Sequence, residues 1–67
     1  MNEKRDSNVR SVNRALSILK EFTPEQSELS LCRISNSLHL PKSTVLRLVR
    51  TMEKEGFIEQ DIIDWIL

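Results

Sequence analysis

The stretch LHLPKSTVLRLVRTMEKEG, residues 38–56, decides the fold of this chain. It begins with a proline-containing turn and predicts one amphipathic helix over residues 42–55, with Gly56 as its stop. At about 100° per residue, the apolar side chains of this helix share one arc. They are Val45, Leu48, Val49 and Met52. The opposite arc carries Ser43, Arg47, Arg50 and Lys54 and no acidic residue. One face of the helix can therefore be buried while the other presents hydroxyl and cationic groups.

The N-terminal end of this helix combines polar side chains with free backbone N–H groups. Lys42, Ser43 and Thr44 lie on a helix terminus that carries a partial positive charge. Such a terminus is suited to contacts with the phosphate groups and base edges of a nucleic acid.

Two further helices precede this one. Apolar residues at helical spacing predict a first helix over residues 9–22, which Pro24 ends. Ser30 is a good N-cap for a second helix over residues 31–38. With the helix at 42–55, the pattern predicts a mainly α fold built on a three-helix helix-turn-helix core.

The two ends of the chain differ from this core. Residues 1–8 are polar and charged, which predicts a mobile N-terminal arm, and residues 9–61 form the predicted domain. After Gly56, the segment GFIEQ predicts a short strand, as expected for an incomplete or rudimentary β wing. The last residues, IIDWIL (62–67), are interpreted as an atypical C-terminal tail.

Length and composition narrow the class of protein. Sixty-seven residues make one small domain, and the single Gly and two Pro favour helices over a turn-rich sheet. The lone Cys32 excludes an internal disulfide, and one Cys with one His predicts neither a metal site nor a cofactor. No signal peptide or membrane-spanning run is found, which predicts a cytoplasmic protein with no membrane partner.

The charge is zero overall but unevenly distributed. Residues 32–50 contain four bases and no acid, whereas residues 51–67 contain one base and five acids. A local basic surface can attract an anion even when the whole chain is neutral. The distribution therefore remains compatible with a nucleic-acid partner.

Three sequence elements resemble a known family. They are RALSIL, LPKSTV and EKEGFIE, which occur in the order and spacing found in the N-terminal DNA-binding domain of the IclR family of bacterial transcription regulators. The resemblance covers about residues 9–61. It implies a winged helix-turn-helix that reads double-stranded operator DNA, normally as a dimer. In the parent family a larger C-terminal domain binds a small-molecule effector, and no such site is expected in this chain.

The resemblance also implies which residues contact DNA. Ser43, Thr44 and Arg47 match recognition-helix positions in the major groove, and Lys42 matches a position near the phosphates. Arg14 matches a position of the first helix that resembles a backbone contact. Arg50 is included because it shares the polar face, not because it matches a motif.

The chain also departs from the family pattern. His39 stands where the family usually has Gly, and Leu46 stands where an aromatic residue or His is common. IIDWIL does not resemble the second wing strand, and no base follows Lys54, so the wing has no cation for the minor groove.

Two other functions were considered. An interaction protein that pairs with a full-length regulator would account for the many apolar residues in so short a chain. They are Leu16, Leu19, Phe57, Ile62, Ile63, Trp65, Ile66 and Leu67. An enzyme has little support, because no side chains form a nucleophile–base pattern and the acids between Glu53 and Asp64 are better explained as a solvated surface.

Overall fold

The computed structural model describes residues 8–67 as three helices and a small antiparallel sheet. The helices are α1 (Arg10–Glu21), α2 (Leu31–Leu38) and α3 (Lys42–Lys54). The strands are β1 (Glu28–Leu29), β2 (Glu59–Asp61) and β3 (Asp64–Ile66), in the order β1-β3-β2. The predicted mainly α fold, with a helix-turn-helix core and a rudimentary wing, is confirmed.

The helices lie close to their predicted positions. Helix α2 has the predicted bounds, whereas α1 and α3 are slightly shorter than predicted. Ser30 caps α2 as predicted, because its Oγ accepts a hydrogen bond from the Arg33 N–H at 3.0 Å. Gly56 follows α3 with φ of +88°, a left-handed conformation that glycine adopts without steric cost.

The turn between α2 and α3 is held mainly by Ser35. Its carbonyl oxygen accepts hydrogen bonds from the N–H of His39 and from the N–H of Leu40, the latter at 3.1 Å. The Ser35 hydroxyl, which is buried, donates to the Leu40 carbonyl. His39 adopts φ of 56°, the left-handed conformation in which helices commonly end.

The hydrophobic core receives side chains from all three helices and from the sheet. Its buried members are Ile18, Phe22, Leu29, Ile34, Val45, Val49, Met52, Ile58 and Trp65. Three of the four apolar residues predicted for the buried arc of α3 are among them, and Leu48 is half-buried against the same core. The sheet closes the core on one side, because Leu29 and Trp65 are direct neighbours in its register.

Residues 62–67, predicted to be a separate tail, instead contain the central strand of the sheet. Ile62 and Ile63 form the hairpin turn, and Asp64–Ile66 pair with both β1 and β2. Side chains alternate across a strand, so Trp65 points into the core and is only 1% exposed. Strand β1 was not predicted either, because a two-residue strand that pairs with a distant segment leaves no local pattern.

The structure bears only in part on two sequence predictions, the N-terminal arm and the absence of a membrane-spanning segment. The arm predicted for residues 1–8 lies outside the described residues, apart from Asn8. None of the helices that the structure describes combines the length and apolar character needed to span a bilayer.

The conformation of His39 gives a prediction for stability. We expect His39→Gly to raise the free energy of unfolding by about 1 kcal/mol, because glycine lacks the Cβ that makes φ of 56° unfavourable. Asn36→Gly, in the interior of α2, is the matched control and should lower stability. Urea unfolding of both variants measures the two effects, and a destabilised His39→Gly variant would contradict the prediction.

Candidate nucleic-acid interface

Helix α3 presents its polar side chains on the side opposite the core. Lys42, Ser43, Arg47 and Arg50 are exposed, and Thr44 is half-buried. For Ser43, Thr44, Arg47 and Arg50 this separation follows from helical geometry, because the buried residues of α3 occupy the other arc. These four predicted site residues therefore share one accessible surface. Lys42 lies on the arc of the core but is exposed at the first position of the helix.

Arg14 of α1 lies beside this surface. It is half-buried and lines a groove of about 500 Å³ between α1 and α3, together with Thr44 and Arg47. Three of the residues predicted to contact DNA, from two different helices, are thus brought to one groove. Among the residues from 8 to 67, none that lines the groove is acidic.

A smaller pocket lies beside the turn, and Arg14 borders it as well. This pocket, of about 200 Å³, is also lined by Arg10, Asn13, Ser17 and two leucines of the turn region. Asn13 and Ser17 were not predicted as site residues. The available signal was their spacing, because Arg10, Asn13, Arg14 and Ser17 recur at helical intervals on one side of α1.

The three arginines of the predicted site differ from Arg33 in their partners. The Arg33 guanidinium donates to Gln26 Oε1 at 2.9 Å. Among the side-chain hydrogen bonds within residues 8–67, none involves the guanidinium of Arg14, Arg47 or Arg50. Within the described residues the donors of these three groups are therefore not used by other side chains, and guanidinium is well matched to phosphate and to guanine.

The wing, here defined as β2, β3 and the hairpin turn between them, has the opposite charge. Alternation along the strands places Glu59, Asp61, Asp64 and the neighbouring Glu28 of β1 on the outer side of the sheet. Partial desolvation, a hydrogen bond with Asp64 and the negative charges of Asp64 and Asp61 raise the pKa of Glu28. The wing therefore repels phosphate, and the cationic groups predicted to contact DNA belong to α1 and α3.

The described residues contain no group of three or more His, Cys, Asp or Glu side chains placed to hold a metal ion. The chemistry that the surface offers is hydrogen bonding and charge attraction from guanidinium, ammonium, hydroxyl and amide groups. Those are the groups that proteins use on DNA phosphates and base edges.

In this domain α2 and α3 form a helix-turn-helix, the outer face of α3 is basic, and an antiparallel wing follows. This combination defines the winged helix-turn-helix class of DNA-binding domains. The sequence model of the IclR helix-turn-helix domain matches residues 11–61. Because the match covers most of the chain, this chain belongs to the IclR family, and it is the DNA-binding domain found in that family of transcription regulators.

Relatives support the same assignment. The glycerol operon regulatory protein of Streptomyces coelicolor is 39% identical over 54 residues, which are 81% of this chain and 21% of that protein. The HTH-type transcriptional regulator XynR of Escherichia coli is 40% identical over 53 residues, 79% of this chain and 21% of that protein. This chain thus spans about a fifth of the length of these curated relatives.

Solved structures agree with the fold. The crystal structure of an IclR family transcriptional regulator from Brucella abortus superposes with a TM-score of 0.88 at 32% identity. The match covers 100% of this chain and 26% of that one, so the similarity includes the wing.

The contact between Glu28 and Asp64 gives a prediction on pH. Because the folded pKa of Glu28 is raised, protonating this carboxyl favours the fold, and its stabilising contribution is lost as pH rises from 4.5 through the raised value. We expect Asp64→Asn to lower the pKa of Glu28 in an NMR titration. Glu59→Gln, which removes an acid separated from Glu28 by strand β3, is the control, and equal effects of the two variants would contradict the assignment.

Proposed function

We propose that this domain binds operator DNA with α3 in the major groove. The observation that carries the proposal is the groove that brings Arg14 next to Thr44 and Arg47. A helix that reads bases must be held in register by phosphate contacts from another element, and α1 is the element placed to supply them. In this arrangement Arg47, Thr44 and Ser43 read base edges, and Lys42 and Arg14 bind phosphates.

Two further cations extend this surface. Arg50 lies one turn beyond Arg47 and is exposed, so it can reach a phosphate or a base at the edge of the site. Arg10 shares the small pocket with Arg14, so it can contact the same phosphate or the next one along the strand.

The wider setting follows from the same assignment. We propose that the protein acts in the bacterial cytoplasm, as a dimer with a second copy or with a full-length regulator of its family. Family relatives are regulators rather than enzymes, which supports a role in DNA recognition without catalysis. We also propose that this chain contains no binding site for a small-molecule effector.

A protein-contact role also has a specific observation in its favour. Several large apolar side chains are exposed, and most of them were among those predicted to form an interaction surface. They are Val9, Val12, Leu16, Phe57, Ile62, Ile63 and Leu67. Trp65, from the predicted set, is instead part of the core.

The first test of DNA reading is Arg47→Ala. We expect the variant to bind its preferred site about 1–3 kcal/mol more weakly and to lose discrimination at the base that Arg47 contacts. Site selection from a random duplex library, followed by fluorescence anisotropy on single-base variants, measures both effects. Lys20→Ala, which removes one positive charge from the far end of α1, is the matched control. If Arg47→Ala leaves the base preference unchanged, the base-reading role assigned to Arg47 is wrong.

The second test separates phosphate contacts from base contacts. We expect Arg14→Ala to weaken binding to all sequences by a similar factor and to reduce the slope of log affinity against log salt by about 1. Anisotropy titrations over a salt series provide the slope. Arg14→Lys should restore most of it, because one cationic group is enough for charge neutralisation. A change in base preference in Arg14→Ala would assign Arg14 to base reading instead.

A further inference from the structure

The tip of the wing is apolar, exposed and strained. Ile62 and Ile63 are 88% and 74% exposed, the largest fractions among the exposed apolar residues. Ile62 has φ of 62°, which is unfavourable for a β-branched residue and is usually occupied by Gly or Asn in two-residue hairpins. Asp61 and Asp64 face each other directly below the tip, so two carboxylates flank the two isoleucines.

The groove between α1 and α3 has the complementary character. Its floor is apolar and contains half-exposed side chains, with Val12 at 52% and Leu16 at 50%. Two arginines, Arg14 and Arg47, also line it. A volume of about 500 Å³ falls within the range of sites that enclose a whole small molecule, so it can accept two branched side chains.

We propose that the wing tip of one copy docks in the α1–α3 groove of a second copy. Ile62 and Ile63 would cover the apolar floor, and Asp61 and Asp64 would accept hydrogen bonds from Arg14 and Arg47. Within one copy the two surfaces do not meet, since no residue of β2, β3 or their turn lines the groove. Each copy thus carries both halves of a contact that it cannot make with itself.

The two halves are matched in polarity as well as in charge. Burying the side chains of the two isoleucines away from water favours association, and carboxylate–guanidinium pairs orient the tip in the groove. The acidic outer side of the sheet adds long-range attraction to the basic surface of the second copy. The same acids oppose insertion of this wing into DNA, so a protein surface suits the tip better than a groove of DNA.

The contact has a consequence for DNA binding, and this consequence rests on the function proposed above. Docking covers Arg14 and Arg47, so a copy whose groove is occupied cannot place those groups on DNA. Self-association and DNA binding then compete, and operator DNA shifts the population toward free grooves by mass action. This contact therefore differs from a pairing of two DNA-bound copies, in which both α3 helices must stay accessible.

The contact is heterologous, since a wing meets a groove, and this property gives a sharp test. We expect sedimentation velocity to show concentration-dependent association of the unmodified chain. Ile63→Asp damages only the wing and Val12→Asp damages only the groove, and both positions are exposed, so the fold should be kept. In the absence of DNA, each variant alone should be monomeric. Their equimolar mixture should associate again, because the intact wing of one fits the intact groove of the other.

Other outcomes would overturn the proposal. Phe57→Asp is the control, because Phe57 is 60% exposed but belongs to neither surface, and it should leave association unchanged. If Val12→Asp and Phe57→Asp abolish association while Ile63→Asp does not, two α1 faces pair with each other and the wing is not involved. A monomeric unmodified chain at millimolar concentration, or no recovery in the mixture, also refutes the contact.

A DNA titration separates this contact from the function proposed above. At protein concentrations below the onset of association, Ile63→Asp should bind the preferred duplex as tightly as the unmodified chain. At protein concentrations above the onset of association, the unmodified chain should bind the duplex several-fold more weakly than the variant does. Equal binding throughout, with association confirmed, would show that docking does not cover the reading surface. Loss of DNA binding by both proteins would count against the proposed function instead.

Discussion

The geometry of this domain depends on the turn that joins α2 to α3. A helix that reads DNA must leave its partner helix at a defined angle, and here Ser35 makes three hydrogen bonds within the turn that joins the two helices. Its carbonyl oxygen accepts two N–H groups of the turn, and its hydroxyl donates to the Leu40 carbonyl. Because Ser35 is buried, these bonds form where water cannot replace them, and an unpaired group there would be costly. Ile34, next to it, is fully buried, so hydrogen bonding and packing fix the turn together.

The position of Arg14 follows from the same core. Helix α1 contributes Ile18 and Phe22 to the interior, and those contacts set its rotation against α3. With Ile18 inward, Arg14, one turn earlier, lies at the border between core and solvent. Arg14 is half-buried, as expected for an arginine that packs its alkyl chain at the edge of a core and directs its charged group to water. A cation on a separate element can therefore lie next to the polar arc of α3 without breaking the core.

The sequence supports the helical part of the fold far better than the sheet. The helices rest on apolar periodicity, an N-cap at Ser30 and stops at Pro24 and Gly56, all of which are local signals. The strands β1 and β3 rest on pairing between distant segments, and each has two or three residues, so neither contains a readable alternation. The sequence predicts a tail for IIDWIL because this segment does not resemble the second wing strand of the family. The structure shows the reason for its apolar composition: Trp65 fills the core, whereas Ile62 and Ile63 form an exposed turn.

The difference between local and long-range signals also applies to the candidate site. The polar arc of α3 and its residues could be named from the sequence, because one helix supplies them at a fixed spacing. Helical spacing places Asn13 and Ser17 on the same side of α1 as Arg14, but the sequence does not show that this side borders the turn, because that depends on how α1 packs against it. The uneven distribution of charge along the chain could be seen in the sequence, but its arrangement in space could not. The acids from β1, β2 and β3 converge on one side of the sheet, while Arg14 of α1 and Arg47 of α3 line one groove. A net charge of zero therefore describes an acidic and a basic surface rather than a neutral one, and the proposed contact between two copies depends on that separation of charge.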